Sequence, residues 1–171
     1  GVYPLPEAQR DRFIMRVPVD YPTLDEEREI VRRMDVGAED AGEVLGPAAV
    51  VELQRVARAV EVPEGVAEYA LGLVQATRDP LVAGLTQLDG MIAYGASPRA
   101  SIALVRGARA LALVRGRSAA TAQDVYDIAY DVLNHRVVLS FEAVADGLGV
   151  DDVLYEILSR YPAPTGVVIG S

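Results

Sequence analysis

Residues 95–117, GASPRASIALVRGARALALVRGR, contain the strongest helix signal of the chain. Ser97 is a favoured N-cap residue, and Pro98 suits the first helical position because its fixed φ is already helical. The apolar residues that follow recur at helical spacing up to about Arg115. One face holds Leu104, Val105, Ala108, Leu111 and Ala112, and the opposite side holds Arg99, Arg106 and Arg109. We therefore expect a long helix with an apolar face and a basic ridge.

Arg99 stands in the first turn of this helix, where the backbone N–H groups and the helix dipole already carry partial positive charge. Two interpretations are open. Arg99 is either a solvated side chain that costs about a few tenths of a kcal/mol, or part of an anion site where guanidinium and helix N–H groups bind one phosphate. Arg12 allows a similar choice, between a surface ion pair with Asp11 and an arginine presented to another molecule.

Five further segments show helix starts followed by helical periodicity. They begin at Thr23, Pro47, Pro63, Thr121 and Asp151. In the segment from Thr23, the apolar residues recur at helical spacing; these are Leu24, Ile30, Val31 and Met34. In the segment from Pro47, we expect the apolar side chains to face inward; these are Val50, Val51, Leu53, Val56, Ala57 and Val60. The fold class predicted for most of the chain is mainly α, a small bundle of about five or six helices.

Three connecting segments have less regular patterns. The pattern of residues 35–46 predicts an acidic, glycine-containing loop. Residues 78–97 have no clear period, and a loop of this length in a compact domain is usually functional or disordered. Residues 135–149 are ambiguous between a short strand and a turn.

The first 22 residues differ from the helical remainder. A short helix is predicted from Pro6 to Asp11 and a strand over 13–19, although Pro18 weakens the strand. One strand cannot satisfy its edges alone. Residues 1–22 are therefore expected to end a preceding α/β core, and residues 23–171 to form a helical domain. The start at Gly1 rather than methionine indicates a fragment or a processed product.

Composition excludes several classes of function. The net charge of −9 argues against nucleic acid as the main partner. All 16 basic residues are arginine, so the chain cannot hold a complete GxxxxGK[ST] phosphate loop or a Schiff-base lysine. No apolar run is long enough to span a bilayer, no leader opens the chain and cysteine is absent. We expect a cytoplasmic protein without membrane insertion.

No catalytic or metal motif emerges from the remaining polar residues. One histidine, no cysteine and scattered acidic residues give no metal site. His135 follows a predicted helix and is interpreted as a capping or surface residue. GASPR lacks the small residue that a nucleophile elbow needs two positions after the serine. Gly147 and Gly149 indicate a turn, because no third glycine follows them.

Three motifs carry a resemblance to a known family. Residues 1–13, GVYPLPEAQRDRF, closely resemble the GTYPLPEAQLDRF signature of MoxR-type AAA+ ATPases. Residues 95–117 resemble the helical lid of that family, and residues 121–140, TAQDVYDIAYDVLNHRVVLS, fit its TPDDV and HR-L-LS pattern. The resemblance covers most of the chain in the right order.

The resemblance implies roles for individual residues. Arg12 would be the arginine finger, acting in trans on the γ-phosphate bound by a neighbouring subunit. Arg10 stands where the family usually has leucine, and the DRF position favours Arg12 over it. Arg99 would be the second sensor, contacting nucleotide phosphate from a helix start that Ser97 and Pro98 support. The sequence leaves open whether this sensor acts in cis or in trans.

The resemblance also implies a larger parent protein. Residues 1–22 would end the AAA+ core and residues 23–171 would be the lid, while ATP and Mg would be bound mainly by the missing core. The parent would hydrolyse ATP as a ring, expected to be a hexamer, and act as a chaperone for client proteins with a von Willebrand factor A domain partner. The chain alone would be inactive and bind no cofactor tightly. The alternative is a non-enzymatic helical interaction module that works through the 78–97 loop and its acidic surface.

Overall fold

Helices dominate the computed structural model, which describes residues 5–36 and 42–164. In this part of the chain the elements are α1 (Glu7–Arg10), α2 (Leu24–Val36), α3 (Pro47–Ala59), α4 (Glu64–Arg78), β1 (Ile92–Tyr94), α5 (Pro98–Val114), α6 (Ala122–Leu133), β2 (Val138–Leu139), α7 (Phe141–Ala145) and α8 (Val150–Arg160). A 3₁₀ turn at Thr86–Leu88 precedes β1. The mainly helical fold class is confirmed.

The starts of α5 and α6 follow the capping signals in the sequence. Ser97 Oγ accepts a hydrogen bond from the Arg99 N–H at 3.2 Å, and Pro98 opens α5. Thr121 Oγ1 accepts from the Asp124 N–H at 3.3 Å, while the Asp124 carboxylate accepts from the Thr121 N–H at 2.8 Å. Each cap satisfies N–H groups that the first helical turn leaves without a partner. Both predicted helix starts are confirmed.

The core lies where α5 packs between α4 and α6, with α8 against α4 and α6. Its largest fully buried apolar side chains are Leu73, Val74, Leu85, Leu104, Val125, Val132, Leu133, Val153, Leu154 and Ile157. Each such side chain contributes about 1.5–3 kcal/mol relative to an exposed one. Helices α5 and α6 approach closely because Gly107 has no side chain, and a Cβ atom there would overlap Cδ1 of Ile128.

Two connecting segments are more regular than expected. The 78–97 segment contains the 3₁₀ turn and β1, and it buries Leu85, Leu88 and Ala96. Strand β1 pairs antiparallel with β2, which lies in the ambiguous 135–149 segment. The 135–149 segment thus contains a short strand followed by helix α7, which Ser140 caps.

The strand predicted over 13–19 does not form. Residues 13–22 are in neither helix nor strand, and the small sheet of the described residues is built from β1 and β2 instead. The Arg16 N–H donates to the Asp131 carbonyl at 2.8 Å, and Asn134 Nδ2 donates to the Arg16 carbonyl at 3.0 Å. These bonds hold the segment against the end of α6. No described strand lies beside the segment, and Pro18 has no N–H to donate to one.

The apolar faces of α2 and α3 are largely exposed, which for α3 corrects the predicted burial. Both helices form, and α2 starts at the expected Thr23, which forms a capping box with Glu26. Val60 is buried as predicted, and Val56 and Ala57 are partly buried. The exposed side chains are Leu24, Ile30, Val31, Met34, Val50, Val51 and Leu53. Periodicity identifies an apolar face but not what covers it. Part of the predicted 35–46 loop, residues 37–41, lies outside the described residues.

Candidate anion-binding cleft

A cleft of about 360 Å³ brings the sequence-predicted arginines together. Its walls come from the turn after α1, from the exposed side of α5 and from the end of α6. The lining residues are Asp11, Arg12, Ile14, Arg99, Ile102, Ala103, Arg106 and Arg136. Four arginines and one carboxylate thus face a small volume in a chain whose net charge is −9. Such a site favours an anion.

The start of α5 is held against the end of α4, and this contact positions Arg99. The Ala96 N–H donates to Thr77 Oγ1 at 2.9 Å, and Arg78 Nε donates to the Ala96 carbonyl at 2.7 Å. Gly95 permits the contact, because a Cβ atom there would lie 2.6 Å from the Thr77 carbonyl carbon and 2.8 Å from Cα of Arg78. The glycine of GASPR therefore has a steric role.

Asp11 connects the turn that carries Arg12 with the start of α5. Ser97 Oγ lies 2.9 Å from both Asp11 carboxylate oxygens and donates its one proton to this carboxylate, while Arg136 Nε donates to Oδ1 at 3.2 Å. The Arg99 guanidinium, whose side chain is 57% exposed, approaches Oδ2 only to 3.7 Å. Asp11 therefore balances part of the charge of Arg99 without holding it by a hydrogen bond.

Arg136 fastens the Arg12 turn to the end of α6 from a buried position. Its side chain is 2% exposed. Besides the Asp11 carboxylate, the guanidinium also has four backbone carbonyls as acceptors, those of Asp11, Phe13, Ile14 and Val132. A buried guanidinium needs such partners, because desolvation of an unpaired charge is costly. Burial lowers the pKa of Arg136 below its ordinary value.

His135 is buried, so its interpretation as a capping or surface residue is wrong. Its Nε2 lies 3.3 Å from the Phe13 carbonyl, to which an Nε2–H donates. Burial lowers the pKa of His135, and the positive charges of Arg136 and Arg16 lower it further, against the hydrogen bond to Phe13 and the charge of Asp11. The neutral imidazole is favoured here, rather than an imidazolium that would interact with the helix dipole.

Arg12 is exposed at the cleft, and within the described residues it forms no ion pair within 4.0 Å. The surface ion pair with Asp11 is therefore absent there, since Asp11 pairs with Arg99 and Arg136. Arg10 is not among the cleft-lining residues, and its Nε is buried without a hydrogen-bond partner. Of the two candidate finger residues, only Arg12 lines this cleft.

Sequence reasoning missed three charged residues of the cleft. The sequence indicates Asp11 only as a partner of Arg12, and Arg106 only as part of the basic ridge. Arg136 lies in the HR motif but had no assigned role. The seven-residue spacing of Arg99 and Arg106 was an available signal, because it places both side chains on one side of a helix.

The chemistry of the cleft is that of oxyanion binding. Guanidinium groups donate paired hydrogen bonds that match phosphate and carboxylate oxygens.

Residues 5–36 and 42–164 contain no group of three or more His, Cys, Asp or Glu side chains placed to hold a metal ion. None of the helices in those two ranges has the length and apolar character needed to cross a membrane.

Known proteins resemble this chain in sequence and in structure. The AAA lid domain family matches residues 86–157. Chaperone MoxR1 of Mycobacterium tuberculosis is 43% identical over 164 residues, which cover 96% of this chain and 44% of the relative. Protein MoxR of Paracoccus denitrificans is 36% identical over 151 residues, covering 81% and 44%.

A crystal structure of a candidate ATPase from Cytophaga hutchinsonii matches with a TM-score of 0.89 and 35% identity, over 95% of this chain and 50% of that one. The chain thus spans about half the length of the proteins it matches. The lid match includes the start of α5 and the end of α6, which form two walls of the cleft. The sequence motifs, the helical fold and these matches together show that the chain belongs to the MoxR-type AAA+ proteins and represents their C-terminal region.

Proposed function

We propose that this chain is the nucleotide-sensing and ring-forming part of a MoxR-type AAA+ ATPase that hydrolyses ATP to remodel, assemble or activate client proteins. The observation that carries the proposal is the shared cleft of Arg12 and Arg99. ATP hydrolysis spreads negative charge over the γ-phosphate oxygens, and arginine forks stabilise that charge. Two arginines from distant segments at one cleft suit this chemistry.

Arg12 is proposed as the arginine finger, which acts in trans on ATP bound by a neighbouring subunit of a ring, expected to be a hexamer. Its exposed guanidinium supports the role, as does the lack of an ion-pair partner among the described residues. Its backbone turn is fixed by Arg136, so little reorganisation is needed when phosphate arrives.

Arg99 is proposed as the second sensor, in cis or in trans, with Ser97 and Pro98 supporting its helix start. Its 3.7 Å separation from Asp11 supports the role, because a phosphate can replace this carboxylate without breaking a hydrogen bond. The N–H groups at the start of α5 add to the attraction for an anion.

ATP and Mg²⁺ are proposed to bind mainly to a core domain that residues 1–22 complete and to which residues 23–171 form the lid. The arginines of the cleft fit phosphate, whereas Mg²⁺ requires oxygen ligands that these donors do not supply. When bound, Mg²⁺ neutralises charge on the β- and γ-phosphates. Four apolar side chains of the N-terminal segment are exposed, those of Phe13, Ile14, Val17 and Val19. This exposure supports the proposal that the sheet of the core domain packs on them.

The parent protein is proposed to work in the cytoplasm with a von Willebrand factor A domain partner. The chain alone is proposed not to hydrolyse ATP. Phosphate release from the purified chain, measured with the full-length protein as reference, tests the last statement. Turnover by the chain on its own would contradict it.

Substitution of the two candidate finger residues in the full-length parent tests the function. Arg12→Ala is expected to retain ATP binding and to reduce kcat by a factor on the order of 10³. Arg10→Ala is the matched control, since it removes the same charge two residues away and outside the cleft, and its kcat should stay near wild type. Unchanged kcat in Arg12→Ala would rule out Arg12 as the finger. A large loss of kcat in Arg10→Ala alone would assign the finger to Arg10.

A further inference from the structure

Arg106 is a third exposed arginine of the cleft. It follows Arg99 by two helical turns, which places it about 10 Å further along α5 on nearly the same face. Both side chains line the same cleft, separated by the apolar floor of Ile102 and Ala103. Within the described residues, no carboxylate oxygen lies within 4.0 Å of Arg106.

This lack of a partner contrasts with three arginines of α2 and α3, although Arg58 of α3 and Arg78 of α4 also form no ion pair within the described residues. Arg28, Arg32 and Arg55 each form an ion pair with an acidic residue three positions earlier on their own helix. Helix α5 contains no acidic residue, although the whole chain has 25 acidic and 16 basic residues. Its basic side thus leaves room for an anion from outside the chain.

We infer that Arg106 is a further phosphate-binding residue, which contacts the non-transferred phosphates of the nucleotide that Arg99 senses. This inference rests on the proposed function. Arg12 and Arg99 both lie near Asp11, at the start of α5, whereas Arg106 lies two turns away along the cleft. If Arg99 acts in trans, as Arg12 does, and the γ-phosphate lies between the two, Arg106 faces the phosphates nearer the ribose. Its ligands are then nucleoside triphosphates and diphosphates alike.

Arg58 provides a matched control for charge. It is exposed on α3 and lines an adjoining cleft of about 680 Å³ together with Arg106 and Arg109, but it does not line the cleft of Arg12 and Arg99. Removing Arg58 therefore takes one positive charge from the same region without removing a proposed phosphate ligand. Any effect of the general electrostatic field should appear in both variants.

Equilibrium binding of ATP and ADP to the full-length protein tests the inference, with thermal unfolding as a check on folding. Arg106→Ala should raise the Kd of both nucleotides by about tenfold or more. Its effect on KM should exceed its effect on kcat, and Arg106→Lys should recover part of the affinity. Arg58→Ala should keep both Kd values near wild type.

Two results would overturn the inference. One is a wild-type Kd in Arg106→Ala, and the other is an equal loss of affinity in Arg106→Ala and Arg58→Ala, which would indicate the general field alone. If Arg99→Ala weakens binding in the same experiment, the proposed function stands without Arg106. Wild-type affinity and turnover in Arg99→Ala would instead contradict the sensor on which the inference rests.

Discussion

Ser97 Oγ donates to the carboxylate of Asp11 at 2.9 Å, and this bond joins the turn that carries Arg12 to the cap of the helix that carries Arg99. The buried Arg136 donates to the same carboxylate. One acidic side chain, 24% exposed, therefore fixes the spacing of the two candidate phosphate-binding arginines.

Asp11→Ala should lower the free energy of unfolding by about 3 kcal/mol, because it leaves the Arg136 guanidinium buried without its carboxylate. Asp25→Ala is the control. Asp25 also pairs with an arginine, but both side chains are largely exposed, so a change of at most about 0.5 kcal/mol is expected. Urea denaturation of the two variants measures the difference. Equal losses would show that the Asp11–Arg136 pair has no special weight.

Gly95→Ala should destabilise the protein by about 1–3 kcal/mol, because the new methyl group meets the backbone of Thr77 and Arg78. Gly72→Ala is the matched control within α4, where nothing lies within 4 Å of the added atom. It should stabilise the protein by up to about 1 kcal/mol through helix propensity. Thermal unfolding compares the two, and destabilisation by both to the same extent would contradict the close approach at Gly95.

Protonation of His135 should destabilise the fold as pH falls from about 7 to about 5. Burial lowers the pKa of His135 in the folded state, so the unfolded chain binds the extra proton first. Stability is therefore retained above the ordinary histidine pKa and is lost below it. Because the chain has one histidine, His135→Gln should flatten the unfolding free energy across this pH range. If the His135→Gln variant keeps the wild-type pH profile of stability, protonation of His135 is not the cause of the loss.

Local signals predicted α5 and α6 well because their caps involve residues that are close in sequence. Ser97 bonds the N–H two positions on, and Thr121 with Asp124 forms a reciprocal box within three residues. Such bonds involve residues within one helical turn, so a short window of sequence is sufficient to predict them.

The exposure of the α2 and α3 faces and the far side of the cleft depend on distant residues and were not predicted. Met34 and Val51 lie on apolar faces that the described residues do not cover. Arg136, which contacts Asp11, lies 125 positions further along the chain, and a buried arginine has no local sequence signature. The motifs implied roles for Arg12 and Arg99. They did not indicate that Asp11 connects the turn of Arg12 with the cap of the Arg99 helix.

Mixing two inactive variants of the full-length parent tests most directly whether Arg12 acts across a subunit interface. One variant is Arg12→Ala, and the other lacks the phosphate-loop lysine of the core but retains Arg12. In mixed rings, an intact nucleotide site on an Arg12→Ala subunit meets an intact finger on its neighbour. Random mixing in equal amounts should restore ATP hydrolysis at about a quarter of the sites. A mixture that stays as inactive as its two components would contradict the account.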